Sequence, residues 1–108
     1  MKITHRELKR FAHQIEDKKL VETKEILLLQ DEDGNSVAHW LAINSLFTKW
    51  STKDKEILML KTNRGYSVAF WLAENSPTWS TDIPEILSLY VEGRKSTVED
   101  MLIRKGRL

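Results

Sequence analysis

The sequence predicts an all-α fold, a short solenoid of stacked helix-turn-helix units. Three observations carry that prediction. A twelve-residue segment occurs twice almost unchanged, an apolar Glu-Ile-Leu run recurs three times, and apolar residues recur at helical rather than alternating spacing. The chain has 108 residues, 17 basic and 16 acidic side chains, a net charge of +1 and 41 % apolar residues. Those proportions suit one globular domain, 1–108, and leave no room for two. Four tryptophans and the leucine-rich runs exclude full disorder.

The first copy is Gly34-Asn35-Ser36-Val37-Ala38-His39-Trp40-Leu41-Ala42-Ile43-Asn44-Ser45, and the second runs from Gly65 to Ser76. Nine of twelve positions are identical at an offset of 31 residues. Glu25-Ile26-Leu27 returns as Glu56-Ile57-Leu58 and Glu85-Ile86-Leu87, at offsets of 31 and 29. Trp50-Ser51-Thr52 returns as Trp79-Ser80-Thr81. A decayed third copy starts at Thr97-Val98, and its glycine, Gly93, stands two residues too early, so that turn must differ. The units therefore span about 1–30, 31–61 and 62–91, with a half unit at 92–108.

Seven helices follow, taken in order. Thr4 with Glu7 forms a capping box that opens 4–18, where Leu8, Phe11 and Ile15 share one side. The run at 21–30 is flanked by Lys and Glu, which favours helix over a buried strand. Ser36 and Ser67 stand as N-caps after glycine turns and open 36–45 and 67–75. The second Ile-Leu run predicts 53–61. Asp82, Pro84 and Glu85 supply a cap, a first-turn proline and a capping acid for 83–91. Ser96 with Glu99 opens 97–105. One such helix pair cannot bury its apolar side, whereas stacked copies make a continuous core.

Gly34-x-Ser36-Val37-Ala38-His39-x-Leu41-Ala42 resembles the ankyrin signature Gly-x-Thr-Pro-Leu-His-x-Ala-Ala, and Glu56-Ile57-Leu58-Met59-Leu60 resembles the second ankyrin helix. The resemblance covers about 20–105. Val37 and Val68 stand where that family has proline, the period is shorter than about 33 residues, and the Gly-Ala-Asp segment is replaced by Gln30-Asp31-Glu32-Asp33 and Lys61-Thr62-Asn63-Arg64. It implies divergent ankyrin-like helix pairs that bind another protein through varied residues around each turn and just after each first helix. Those positions are Glu32, Asp33, Asn35, Ile43 and Asn44 in one copy and Asn63, Arg64, Tyr66, Glu74 and Asn75 in the next. Their charge suits a partner with a basic patch.

Chemistry-bearing patterns are scarce. His39 matches Phe70 in the second copy, so it reads as a structural histidine bonded to a neighbouring loop. His5 and His13 lie two helical turns apart, too far to share a metal. Asp31-Glu32-Asp33-Gly34-Asn35 lacks the later glutamate of a calcium loop and reads as an acidic turn. No nucleophile elbow, phosphate loop or dinucleotide turn is present. The reading is a non-enzymatic protein-interaction module, an adaptor or inhibitor, with no catalytic residue, metal or cofactor. The tryptophans read as fillers between units, and Tyr66, opposite Asn35, as exposed. The alternative is nucleic-acid binding through basic ends, using Lys2, Arg6, Lys9, Arg10 and His13 at one end and Arg104, Lys105 and Arg107 at the other. No run approaches the roughly 20 apolar residues of a membrane span, the N-terminus lacks a secretion-signal core, and cysteine is absent. The expected setting is cytoplasmic, and the expected state a monomer or a weak end-to-end homodimer.

Overall fold

Capping chemistry sets the helix boundaries in the computed structural model, which describes residues 2–108. Met1, the first residue of the expected domain, lies outside the described residues. Helix α1, His5–Glu16, starts at Thr4, whose hydroxyl accepts from the Glu7 N–H while the Glu7 carboxylate accepts from the Thr4 N–H. Helices α3, Val37–Ile43, and α6, Val68–Asn75, are capped by Ser36 and Ser67. Between them lie α2, Lys24–Leu27, α4, Ser45–Thr48, and α5, Lys55–Met59. The chain finishes with α7, Pro84–Leu87, a two-stranded antiparallel pair of β1, Tyr90–Val91, with β2, Ser96–Thr97, and α8, Val98–Arg104. The fold is mainly helical. Helix α3 packs on α1 and α6, and α6 packs on α8. The shorter helices α2, α5 and α7 lie against α3, α6 and α8, and α5 also meets α7.

The Ile-Leu helices are shorter than the runs predict, for one reason. In each unit the leucine after the run supplies its carbonyl to the valine that opens the next helix. Val37, Val68 and Val98 N–H donate to Leu29, Leu60 and Leu89 at 3.2, 3.1 and 3.0 Å. The next residue then turns back on the N-cap, pairing Gln30 with Ser36, Lys61 with Ser67 and Tyr90 with Thr97. The expected helix 83–91 therefore ends in a strand. The last unit's loop is one residue longer, and Lys95, at φ 50°, takes the left-handed place that Gly34 and Gly65 hold at 81° and 86°. Two capping assignments change. Helix α7 starts at Ile83 without a side-chain cap, and α8 is capped by Thr97 with Asp100 rather than Ser96 with Glu99.

The change of period also has a local cause. After the matched Ser45 and Ser76, the first unit carries two extra residues before its tryptophan, and α4 is built there. Asn44 interrupts the expected helix 36–45 and caps α4, which projects Leu46 and Phe47 at 55 % and 82 % exposure. Beyond it the units realign. Trp50 Nε1 donates to Glu22, and Trp79 Nε1 donates to the Thr52 carbonyl, so each tryptophan reaches back toward the preceding unit. Lys24 pairs with Glu56 and Lys55 with Glu85 in the same sense. These exposed pairs add little stability.

The basic C-terminal residues are engaged. Arg107 donates to the carbonyls of Ala73 and Ser76, at the end of α6, and of Trp79 in the loop beyond it. Lys105 donates to the Glu74 carbonyl, and Arg104 to Ser96. The outer side of α8 exposes Glu99, Asp100, Ile103 and Arg104.

The two turn glycines face different surroundings. A Cβ at Gly34 would sit 2.7 Å from both the Asn63 N and Oδ1, whereas one at Gly65 would meet nothing within 4 Å. Both substitutions carry the left-handed penalty of about 1–2 kcal/mol, and Gly34→Ala adds a backbone clash with the neighbouring unit. Urea denaturation should rank Gly34→Ala as the more damaging of the pair, and equal losses would contradict this packing.

Candidate functional site

The two turns are built alike although their residues differ. Asp31 Oδ1 accepts from the N–H groups of Asp33 and Asn35, and Thr62 Oγ1 accepts from those of Arg64 and Tyr66. An aspartate and a threonine thus perform one local bonding task. The Asp31 carboxylate is buried, and its second oxygen lies 3.2 Å from His5 Nδ1. The Asp31 carboxylate is thus engaged within the chain on both oxygens. Among the described residues no group of three His, Asp or Glu is arranged to hold a metal.

The turns lie side by side. The Asn63 N–H donates to the Asp33 carbonyl at 3.0 Å, and Asn63 Nδ2 donates to the Glu32 carbonyl at 2.9 Å. Gln30 Nε2 donates to the Gly34 carbonyl at 2.8 Å. His39 adds the buried link. Its Nδ1 accepts from the Ser36 N–H at 3.0 Å, and its Nε2 meets the Tyr66 carbonyl at 3.1 Å. This network assigns the neutral tautomer with the proton on Nε2. Burial lowers its pKa to about 4. Phe70, at the equivalent place, is also fully buried and makes no such link.

Alignment of the turns opens a groove of about 380 Å³. Five expected contact residues line it, namely Asp33, Asn35, Asn63, Arg64 and Tyr66. Its aromatic wall is Tyr66, whose ring lies 5.0 Å from Phe70 and 5.6 Å from Trp71. Tyr66 is therefore half-buried rather than exposed. Its hydroxyl fits beside Gly93, where a Cβ would approach to 2.9 Å. Arg94 closes the far side, with its guanidinium 5.4 Å from the Phe70 ring centre and 3.7 Å from the Glu74 carboxylate.

The other five expected residues are placed elsewhere or already engaged. Glu32 is exposed outside the groove lining. Ile43 and Asn44 end α3, and Asn44 Nδ2 donates to the Trp40 carbonyl. Asn75 Nδ2 donates to the Ile43 carbonyl at 3.0 Å, linking α6 to α3. Glu74 faces Arg94 and Lys105. Sequence reasoning missed Thr62, Phe70, Trp71 and Arg94 in the lining. The alignment of the third copy on Thr97 sets Arg94 opposite Arg64, which was the available signal for it. Trp40 and Trp71 are half-buried, and both indole N–H groups are buried without an acceptor.

The lowered pKa of His39 fixes a pH response. The folded chain binds fewer protons than the unfolded chain between about pH 6.5 and 4, so stability falls as pH drops through that window. Near pH 5.5 the slope is at most about 1.4 kcal/mol per unit, and the total is roughly 3 kcal/mol. Urea titrations from pH 7 to 5 should show this loss in the wild type and a flatter profile in His39→Gln. Identical profiles would contradict the buried neutral imidazole.

No protein-family model matches this chain, and neither the curated proteins nor the solved structures give a significant match.

Proposed function

We propose that this chain is a non-enzymatic protein-interaction module, an ankyrin-like stack that holds a segment of a partner protein in the groove between its turns. The carrying observation is the convergence of Asp33, Asn35, Asn63, Arg64 and Tyr66 from two units over one aromatic wall. A partner's apolar side chain would rest on Tyr66 and Trp71, because aromatic anchors dominate binding energy when they are desolvated. Glu32 and Asp33 would face a basic group of the partner. Arg64, exposed at the second turn, would face an acidic one. The stacked-solenoid reading is supported by the ordered packing of α1, α3, α6 and α8 and by the repeated turn bonding. The nearby His39 is not a free base, since both of its nitrogens are occupied.

The test is a displayed random-peptide library selected on the full chain, followed by binding assays and NMR shift mapping. Selected peptides should perturb Asn35, Tyr66 and Trp71. Tyr66→Ala and Arg64→Glu should each weaken binding tenfold or more while far-UV circular dichroism is unchanged, and Lys53→Ala should bind normally. Peptides that map elsewhere, or that bind Tyr66→Ala as tightly, would refute the groove as the docking site.

A further inference from the structure

Of the two basic ends in the sequence, the C-terminal one has its cations hydrogen-bonded within the chain: Lys105 and Arg107 to carbonyls at and beyond the end of α6, and Arg104 to the Ser96 hydroxyl. On α1 the position is different. Arg6, Arg10 and Lys19 are exposed and make no ion pair among the described residues. Lys9 rests over the Trp40 ring at 5.3 Å, with its charge uncompensated by any carboxylate. These four cations line one open groove of about 590 Å³ together with Gln14 and a single acid, Asp17. Spacings of three and four residues put Arg6, Lys9 and Arg10 on one helical face, with side chains about 5–6 Å apart at their bases. His5 and His13, also in this lining, turn their rings edge-on to Trp40 and support the same face from beneath.

We infer that this face of α1 binds the phosphodiester backbone of double-stranded nucleic acid without reading its sequence. Every side chain of the lining ends in a polar or charged group, and the apolar surface there is the stems of those side chains. The large aromatic anchors that concentrate at the centre of protein interfaces are missing from this lining, which holds no tryptophan, tyrosine, phenylalanine or aliphatic residue. A single strand gains its affinity from bases stacked on exposed aromatic rings, and Trp40, the one ring here, is half-buried beneath Lys9 and the imidazoles. What remains is charge neutralisation of regularly spaced phosphates, which needs only unpaired cations on a ridge. This site is separate from the turn groove, so either proposal can fail alone.

The experiment is fluorescence anisotropy of a labelled mixed-sequence DNA duplex titrated with the full chain at about 50 and about 200 mM NaCl. Neutralising about four phosphates gives a salt slope near −3.6 and roughly a hundredfold loss of affinity between those conditions. The double variant R6E/R10E should weaken binding at low salt at least tenfold while retaining its circular dichroism spectrum. R64E, which changes the net charge at a distant turn, should bind within about twofold of wild type. Absence of binding at 50 mM NaCl, or equal losses in R64E and R6E/R10E, would overturn the assignment. Binding to phosphatidylserine vesicles in place of the duplex would overturn it too, because the ligand would then be an anionic lipid surface.

Discussion

The structure depends on mutual burial between α3 and α6. Val37, Ala38, Leu41 and Ala42 in one, with Val68, Ala69, Leu72 and Ala73 in the other, are at most 1 % exposed. Neither helix is long enough to persist alone in water, where helices below about 12–15 residues are marginal. Each is apolar on more than one side because a neighbour lies on either flank. The alanines keep the helices close, and truncating a buried leucine here would cost about 2–5 kcal/mol, a large share of the stability of a domain this size. This contact also sets the register of the turns and, through them, the groove.

The turns convert that packing into a surface. Asp31 and Thr62 fold them by the same side-chain bonding, the valine-to-leucine bonds tie them to the helices, and Asn63 and His39 lock one to the next. The surface chemistry then diverges between copies. The first turn displays Glu32 and Asp33, the second Arg64 and Tyr66, and the third Arg94. Conserved geometry with unlike side chains is how a repeat architecture generates a composite site. The groove lies across the junction between the first two turns and takes Arg94 from the third.

Much of this was legible in the sequence because the repeat is strong. Nine matched residues located α3 and α6, and Ser36, Ser67 and Thr4 marked their starts through side-chain bonding local to the chain. Features that depend on distant partners were not legible. The Ile-Leu runs looked like longer helices because propensity does not register the carbonyls that Leu29, Leu60 and Leu89 give to the next helix. The hairpin of β1 and β2 arises from one extra residue in the last turn, where Lys95 takes the left-handed place and Gly93 stands beside the Tyr66 hydroxyl. Arg107 read as a free tail residue because its acceptors lie 28 to 34 positions away. At the groove, the turn positions came from the resemblance to ankyrin repeats, and five of the ten lie in the lining. The engagement of Asn75 and Glu74 was not legible, since bonds between units leave no local trace.

Two surfaces follow from one scaffold, an aromatic groove across the turns and a cationic face on α1. Both require that the units be equivalent and mutually buried. The most direct measurement is native-state hydrogen exchange by NMR at the amides of Val37 and Val68, the equivalent donors to Leu29 and Leu60. The account predicts that both are protected and merge into one global opening as denaturant is raised. Random-coil exchange at either amide, or opening of one unit well before the other, would contradict a core shared between the two copies.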